Sequence, residues 1–279
     1  MRNTKQSKSY LIFKYAVYIG LILFLTFPLY WIVSSSFRTR EEIMTSIRLS
    51  VIPKTFTLTH YRDAFIEVGL LQCFINSLTI TTATVLVSIA IGILIAYAFS
   101  KLNFKGKRPL FAAVLLTQFI PVIAYIMPLY LIMSRLRLLN TYGSLVITYL
   151  GIAFPVAVVL LSNYLKDIPV ELEEAALIDG CTPLEALVRI ILPISVPGIV
   201  ATAIFIFITI WQEYLVAVSF ISRERAYTVS MALTKFQGAY GTNWGGIMAG
   251  AVSISMPAVI MFLCSRKLFI NNLAGGVKE

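Results

Sequence analysis

Long apolar runs separated by short polar connections organise this chain. Six runs are nearly free of charge: residues 15–35, 74–99, 110–134, 142–165, 198–221 and 247–264. A helix rises 1.5 Å per residue, so about 20 apolar residues cross a hydrocarbon layer of about 30 Å. Each run is therefore expected to be a transmembrane helix. The fold class that follows is an all-α polytopic membrane protein, one domain over residues 1–279 with six transmembrane helices. The first run exceeds a signal-peptide core and no small-residue cleavage site follows it, so it reads as a retained span. Pro28, Pro121, Pro128, Pro155 and Pro257 interrupt the runs. Proline is tolerated at membrane depth where neighbouring helices satisfy the freed carbonyls, which predicts a packed bundle. Small residues four apart, Ser88–Gly92–Ala96 and Gly246–Gly250, are either close-approach stripes or chance.

Composition sharpens this picture. The 279 residues are 58% hydrophobic and 13% charged, with a net charge of +10. A soluble domain carries about a quarter charged residues. The cations cluster between the runs: Arg2, Lys5, Lys8 and Lys14 before the first, then Lys101, Lys105, Lys107 and Arg108 after the second. Both clusters are expected on the cytoplasmic side. Six spans then put the C-terminal Arg266, Lys267 and Lys278 there too. Arg135 and Arg137 in an outer loop mildly oppose the rule, and parity outweighs them. No basic face with interleaved aromatics exists outside the runs, which argues against nucleic acid. Cys73, Cys181 and Cys264 are odd in number and far apart, and His60 is the sole histidine. No disulfide framework, zinc spacing or histidine-based catalytic site follows, so no catalytic, cofactor or metal-ligating residue is nominated.

The connection at 166–197 departs from its neighbours. Its side should be cytoplasmic, yet it is acidic: Asp167, Glu171, Glu173, Glu174, Asp179 and Glu185 against Lys166 and Arg189. It reads as two short helices. Pro169 suits a first helical position and the glutamates suit a helix N-terminus. Gly180 provides a stop, and Thr182–Pro183–Leu184–Glu185 is a capping box. Pro193 and Pro197 are expected to close the second segment. Ala175–Ala176 leaves a low-relief face, suited either to a groove on a partner or to a connector lying on the membrane.

Glu174–Ala175–Ala176, then Gly180, then Ile190, Leu192 and Pro193, resembles the EAA loop of ABC importer permeases at every position of that pattern. The resemblance extends along the chain. Residues 56–61 and 74–78, the 236–244 segment, residues 272–278 and Trp211–Gln212–Glu213–Tyr214–Leu215 are similar to maltose-type small permeases, with Gln212 where asparagine is usual. Cys181 stands where alanine is usual. The resemblance implies the permease subunit of a binding-protein-dependent sugar or oligosaccharide importer in a bacterial-type cytoplasmic membrane. It implies as partners a second homologous permease, two ATPase subunits, an external solute-binding protein and lipid. ATP and magnesium would belong to the ATPase, since this chain has no phosphate-binding glycine loop. The ATPase-coupling residues would be Glu174, Ala175, Ala176, Asp179, Gly180, Leu192 and Pro193. The loop before the last span, with Gln237, Gly238, Tyr240 and Gly241, would dock the binding protein.

Glu213 is the carboxylate placed inside a run, about 12 Å from the outer end of its span. With Trp211, Gln212, Tyr214 and Asn76 it is a candidate for the translocation path. A structural carboxylate bonded to the partner permease or to a neighbouring helix, near Asn76, is the competing reading. Other solutes, such as a polyol or a glycerol phosphate ester, stay open, as does an ion-coupled secondary transporter, for which Glu213 alone would have to serve.

Overall fold

The computed structural model describes residues 8–45, 50–238 and 241–275. Arg2, Lys5, Tyr240 and Lys278 lie outside the described residues, as do positions 276 and 277 and the side chains of Lys8, Arg266 and Lys267. The elements are α1 (Lys8–Ser36), α2 (Arg40–Thr45), α3 (Thr59–Ile66), α4 (Leu70–Lys101), α5 (Lys107–Thr117) and α6 (Val122–Arg135). They continue with α7 (Tyr142–Lys166), α8 (Val170–Ile178), α9 (Pro183–Ala186), α10 (Leu192–Trp211), α11 (Leu215–Phe220) and α12 (Val229–Ala232). A hairpin of β1 (Gln237–Gly238) and β2 (Gly241–Thr242) precedes α13 (Trp244–Gly275). Among the described residues, five helices are long and apolar enough to cross a membrane, or six if a bent pair is one span.

The chain divides into two compact units, Met1–Leu70 with Leu233–Ser255, and Leu71–Ala232 with Met256–Glu279. In the first, α1 turns large apolar side chains outward on every side, as a helix does when lipid or other helices surround it. A buried ion pair follows it: Arg38 and Glu42 approach to 3.3 Å. Burying two charges is tolerable because most of their remaining groups are bonded, the Arg38 Nε excepted. Arg38 donates to Ser34 and to the Ser50 and Val51 carbonyls, and Glu42 accepts the Lys54 N–H. His60 faces the Arg38 carbonyl oxygen at 2.9 Å. Gly246 and Gly250 do pack closely, but against the Phe236 and Leu233 side chains of the preceding loop.

The second unit is built on α4, α7 and α10. A Cβ on Gly92 of α4 would sit 2.9 Å from the Ala157 Cβ of α7, and one on Gly198 of α10 would enter the Tyr164 ring at 2.4 Å. Ser88 and Ala96, on the same stripe as Gly92, are fully buried.

Three expectations need correction. The third run is α5 and α6, meeting at 91°. Pro121 caps α6 in an extended conformation, because proline offers no N–H to continue the ladder and biases the residue before it away from helix. The fifth run is also interrupted, at residues 212–214 between α10 and α11. Conversely, Pro193 and Pro197 do not close the second elbow segment. Pro183–Trp211 is one continuous helix of 29 residues. A π-turn at Leu187–Ile191 lies just before Pro193, the Leu192 N–H reaching back to the Leu187 carbonyl. The wider turn carries the chain past an interrupted i→i−4 ladder without ending the helix.

Candidate functional site

The acidic connection folds as two helical limbs around Gly180. Pro169 takes the N-cap of α8, one position earlier than a first helical residue. At the other end the Cys181 N–H donates to the Ala176 carbonyl and the Gly180 N–H to the Leu177 carbonyl, both near 3 Å. These are the paired bonds of a Schellman stop, which places Gly180 at φ +90°. Thr182 and Glu185 then form the capping box that starts α9. Glu185 lies ahead of the apolar stretch of that helix. Hydrogen bonds from the Thr182 backbone and hydroxyl, then the Arg189 charge, hold its carboxyl below the ordinary value.

One face of this elbow is buried and one is open. Glu173, Ala176, Ala186, Leu187 and Ile191 turn inward. Glu171, Glu174, Ala175, Asp179 and Gly180 are exposed, Leu192 is half-buried and Pro193 exposed. The two alanines therefore separate: Ala175 lies on the open face and Ala176 beneath it. The open face is not low in relief, since Ile178 is 86% exposed and Leu184 62%. Apolar side chains beside exposed acids make a surface suited to a groove with basic residues. The exposure of Ile178 and Leu184 is not legible in the sequence, because periodicity does not say which face of so short a helical limb is covered.

The elbow is tied to α4, which is remote from it in sequence. The Tyr97 hydroxyl donates to Glu173 and lies 3.4 Å from the Pro183 carbonyl oxygen. Lys101 donates to the Ile168 carbonyl at 2.6 Å. Nothing local in the sequence marks Tyr97, Lys101 or Glu173 as partners.

The Glu213 region is the second candidate. Glu213 occupies the helix break, not the middle of an unbroken span. Its Oε1 accepts the Val216 N–H at 2.9 Å, and its Oε2 accepts the Ala217 N–H at 3.3 Å and the Tyr149 hydroxyl at 2.8 Å. It thus caps α11 and bonds α7. A break at membrane depth needs such replacement partners. The Ser230 hydroxyl takes the Glu213 carbonyl at 2.7 Å. Trp211 is buried, stacked on Phe207 and edge-on to Phe74, so its ring faces are covered. Asn76 is also buried and donates to the Arg225 and Tyr227 carbonyls while accepting from Gln72 and Tyr142. Gln212 and Tyr214 are exposed on either side of Glu213. An apolar groove of about 590 Å³ runs along α7, α10 and the end of α13, lined by Leu160, Tyr164, Phe205 and Phe262. None of residues 212–214 lines it.

In the loop before α13, Gln237, Gly238 and Gly241 form the exposed hairpin, with Gly241 at φ +139°. Among the described residues no three of His, Cys, Asp and Glu gather as a metal site.

Comparison with known proteins agrees along the length of the chain. Residues 88–273 match the family described as the binding-protein-dependent transport system inner membrane component. The chain is 33% identical to the trehalose transport system permease protein SugB of Mycobacterium tuberculosis, over 89% of this chain and 90% of that one. It is 30% identical to the diacetylchitobiose uptake system permease protein DasC of Streptomyces coelicolor, over 94% of both. Its fold is that of a subunit of a bacterial ABC transporter involved in import of the acidic polysaccharide alginate. The TM-score there is 0.79 at 22% identity, covering 94% of this chain and 98% of that one. The chain therefore belongs to the family of inner membrane components of binding-protein-dependent transport systems, as a multi-pass permease subunit of an ABC importer.

Proposed function

We propose that this permease imports a sugar or oligosaccharide delivered by an external solute-binding protein and driven by a separate ATPase. The observation that carries the solute class is kinship over about nine-tenths of both chains with permeases named for trehalose and diacetylchitobiose. In this reading the elbow residues Glu174, Ala175, Asp179 and Gly180, with Ile178 and Leu184 beside them, seat in a groove on the cytoplasmic ATPase. Ala176, Leu192 and Pro193 shape the elbow from beneath and behind. A second, homologous permease completes the transmembrane pair, and two ATPase subunits bind ATP and magnesium. The loop carrying Gln237, Gly238, Tyr240 and Gly241 meets the binding protein. Gln212 and Tyr214 face the solute path, and Glu213 holds the break that presents them.

ATP must favour one state of the pair and the loaded binding protein must recognise the states differently, since a ligand shifts an equilibrium only by its differential affinity. The test is reconstitution of the permease pair, ATPase and binding protein in vesicles. ATP-dependent uptake of a labelled di- or oligosaccharide is expected. Uptake of only a polyol or a glycerol phosphate ester would replace the solute class, and uptake driven by an ion gradient without ATP would overturn the mechanism. Gly180→Leu forces a branched side chain into positive φ, and Glu174→Lys reverses the charge of the open face. Both should release the ATPase from the purified permease, and full uptake by both would refute the elbow's role.

A further inference from the structure

Helix α4 is not joined covalently to the elbow, yet it holds both limbs. Tyr97 and Lys101 are four residues apart and share a face. Their partners straddle Gly180: Lys101 donates to the Ile168 carbonyl before α8, the Tyr97 hydroxyl gives its proton to the Glu173 carboxylate within α8, and the same hydroxyl lies 3.4 Å from the Pro183 carbonyl oxygen at the start of the second limb. Glu173 is 7% exposed, and its other oxygen has no partner. The Tyr97 hydroxyl is thus the donor that satisfies a buried acid, a bond costly to break.

The opposite end of α4 is also held. Asn76 donates to the Arg225 and Tyr227 carbonyls, both at 2.9 Å, and Ser77 accepts the Val229 N–H at 2.8 Å. About 30 Å of helix separates Asn76 from Tyr97 at 1.5 Å per residue. That stretch contains no proline. The helices that do continue from the elbow are built to bend: α7 contains Pro155, and α10 contains Pro197 behind its π-turn. Displacement of the elbow can be absorbed in those two helices but not in α4.

We propose that Tyr97 and Lys101 are positioning residues that make α4 the rod carrying elbow movement to the 225–229 segment. This rests on the elbow being the ATPase contact. The experiment uses the reconstituted complex, comparing co-purified ATPase, stimulation by the loaded binding protein, and solute imported per ATP. Tyr97→Phe removes only the hydroxyl. The ATPase should remain bound while solute per ATP falls about tenfold, within the range of coupling terms carried by single residues. Glu173→Gln still accepts from Tyr97 and should work nearly as wild type, whereas Glu173→Ala should match Tyr97→Phe. Wild-type coupling in Tyr97→Phe would overturn the proposal. So would equal defects in Glu173→Gln and Glu173→Ala, which would make charge the essential feature. Loss of the ATPase from Tyr97→Phe would also overturn it, by assigning the hydroxyl to elbow folding. Failure of the docking reading is separable, because it appears in Gly180→Leu and Glu174→Lys, where Tyr97 is intact.

Discussion

Asn76 is fully buried, and its amide makes four hydrogen bonds to protein: two donated to main-chain carbonyls and two accepted from side chains. That uses its whole inventory and leaves nothing for a passing solute. Asn76→Ala should orphan the Arg225 and Tyr227 carbonyls and lower stability by about 2–3 kcal/mol. The check is the unfolding midpoint in detergent, together with proteolysis in the 222–228 segment, which should become faster. Asn76→Asp keeps the acceptor and loses the donors, so it should fall between wild type and alanine. An unchanged midpoint in the alanine variant would restore Asn76 to the solute path. The contrast with Gly180 explains what sequence conveys. Gly180 acts through bonds within five residues, so its role is written locally. The main-chain carbonyls that Asn76 holds lie about 150 positions away along the chain. A polar residue in an apolar run signals that a partner exists, not which one.

The same limit operates on elements. All six apolar runs contain helix, and the elbow with its glycine stop and capping box is where the sequence put it. The breaks at 118–121 and 212–214 are hidden from a window of about 19 residues, which averages over the few polar positions in them. The signal lay in chemistry: Pro121 in one case, and in the other a carboxylate with free N–H groups three and four residues ahead. Glu213 therefore reads first as a cap. Glu213→Ala removes the acceptor of two N–H groups and of Tyr149, and should cost about 1–2 kcal/mol of stability. Glu213→Gln keeps an acceptor and should cost about half as much. Gln212→Ala and Tyr214→Ala touch no such bond and should lower uptake with the unfolding midpoint unchanged. If the two neighbours transport normally and Glu213→Gln stays folded but inactive, the solute contact belongs to Glu213 itself.

On the scale of the molecule, the second unit has two distinct ends. At one, the Lys101 ammonium and the Tyr97 hydroxyl reach the elbow, so the basic 101–108 connection and the acidic connection share a side. At the other, Asn140 accepts from the Ser222 and Arg223 N–H groups, and Asn76 holds the 225–227 carbonyls. The cation rule read from sequence would put the first end in the cytoplasm, and the elbow's proposed ATPase partner requires the same side. Arg135 and Arg137 then belong outside, against the rule but in company with Arg223 and Arg225. The prediction is directional and needs a clean background. Cys73 is buried, Cys181 half-buried and Cys264 exposed, so all three are first replaced by alanine or serine. Lys105→Cys should then react with a membrane-impermeant maleimide only in inverted vesicles, and Arg223→Cys only in intact cells. Asp179→Cys on the elbow should follow Lys105→Cys, and ATPase bound at the elbow should shield it. Labelling of position 105 from outside intact cells would invert the whole assignment, and with it the side on which ATP can act.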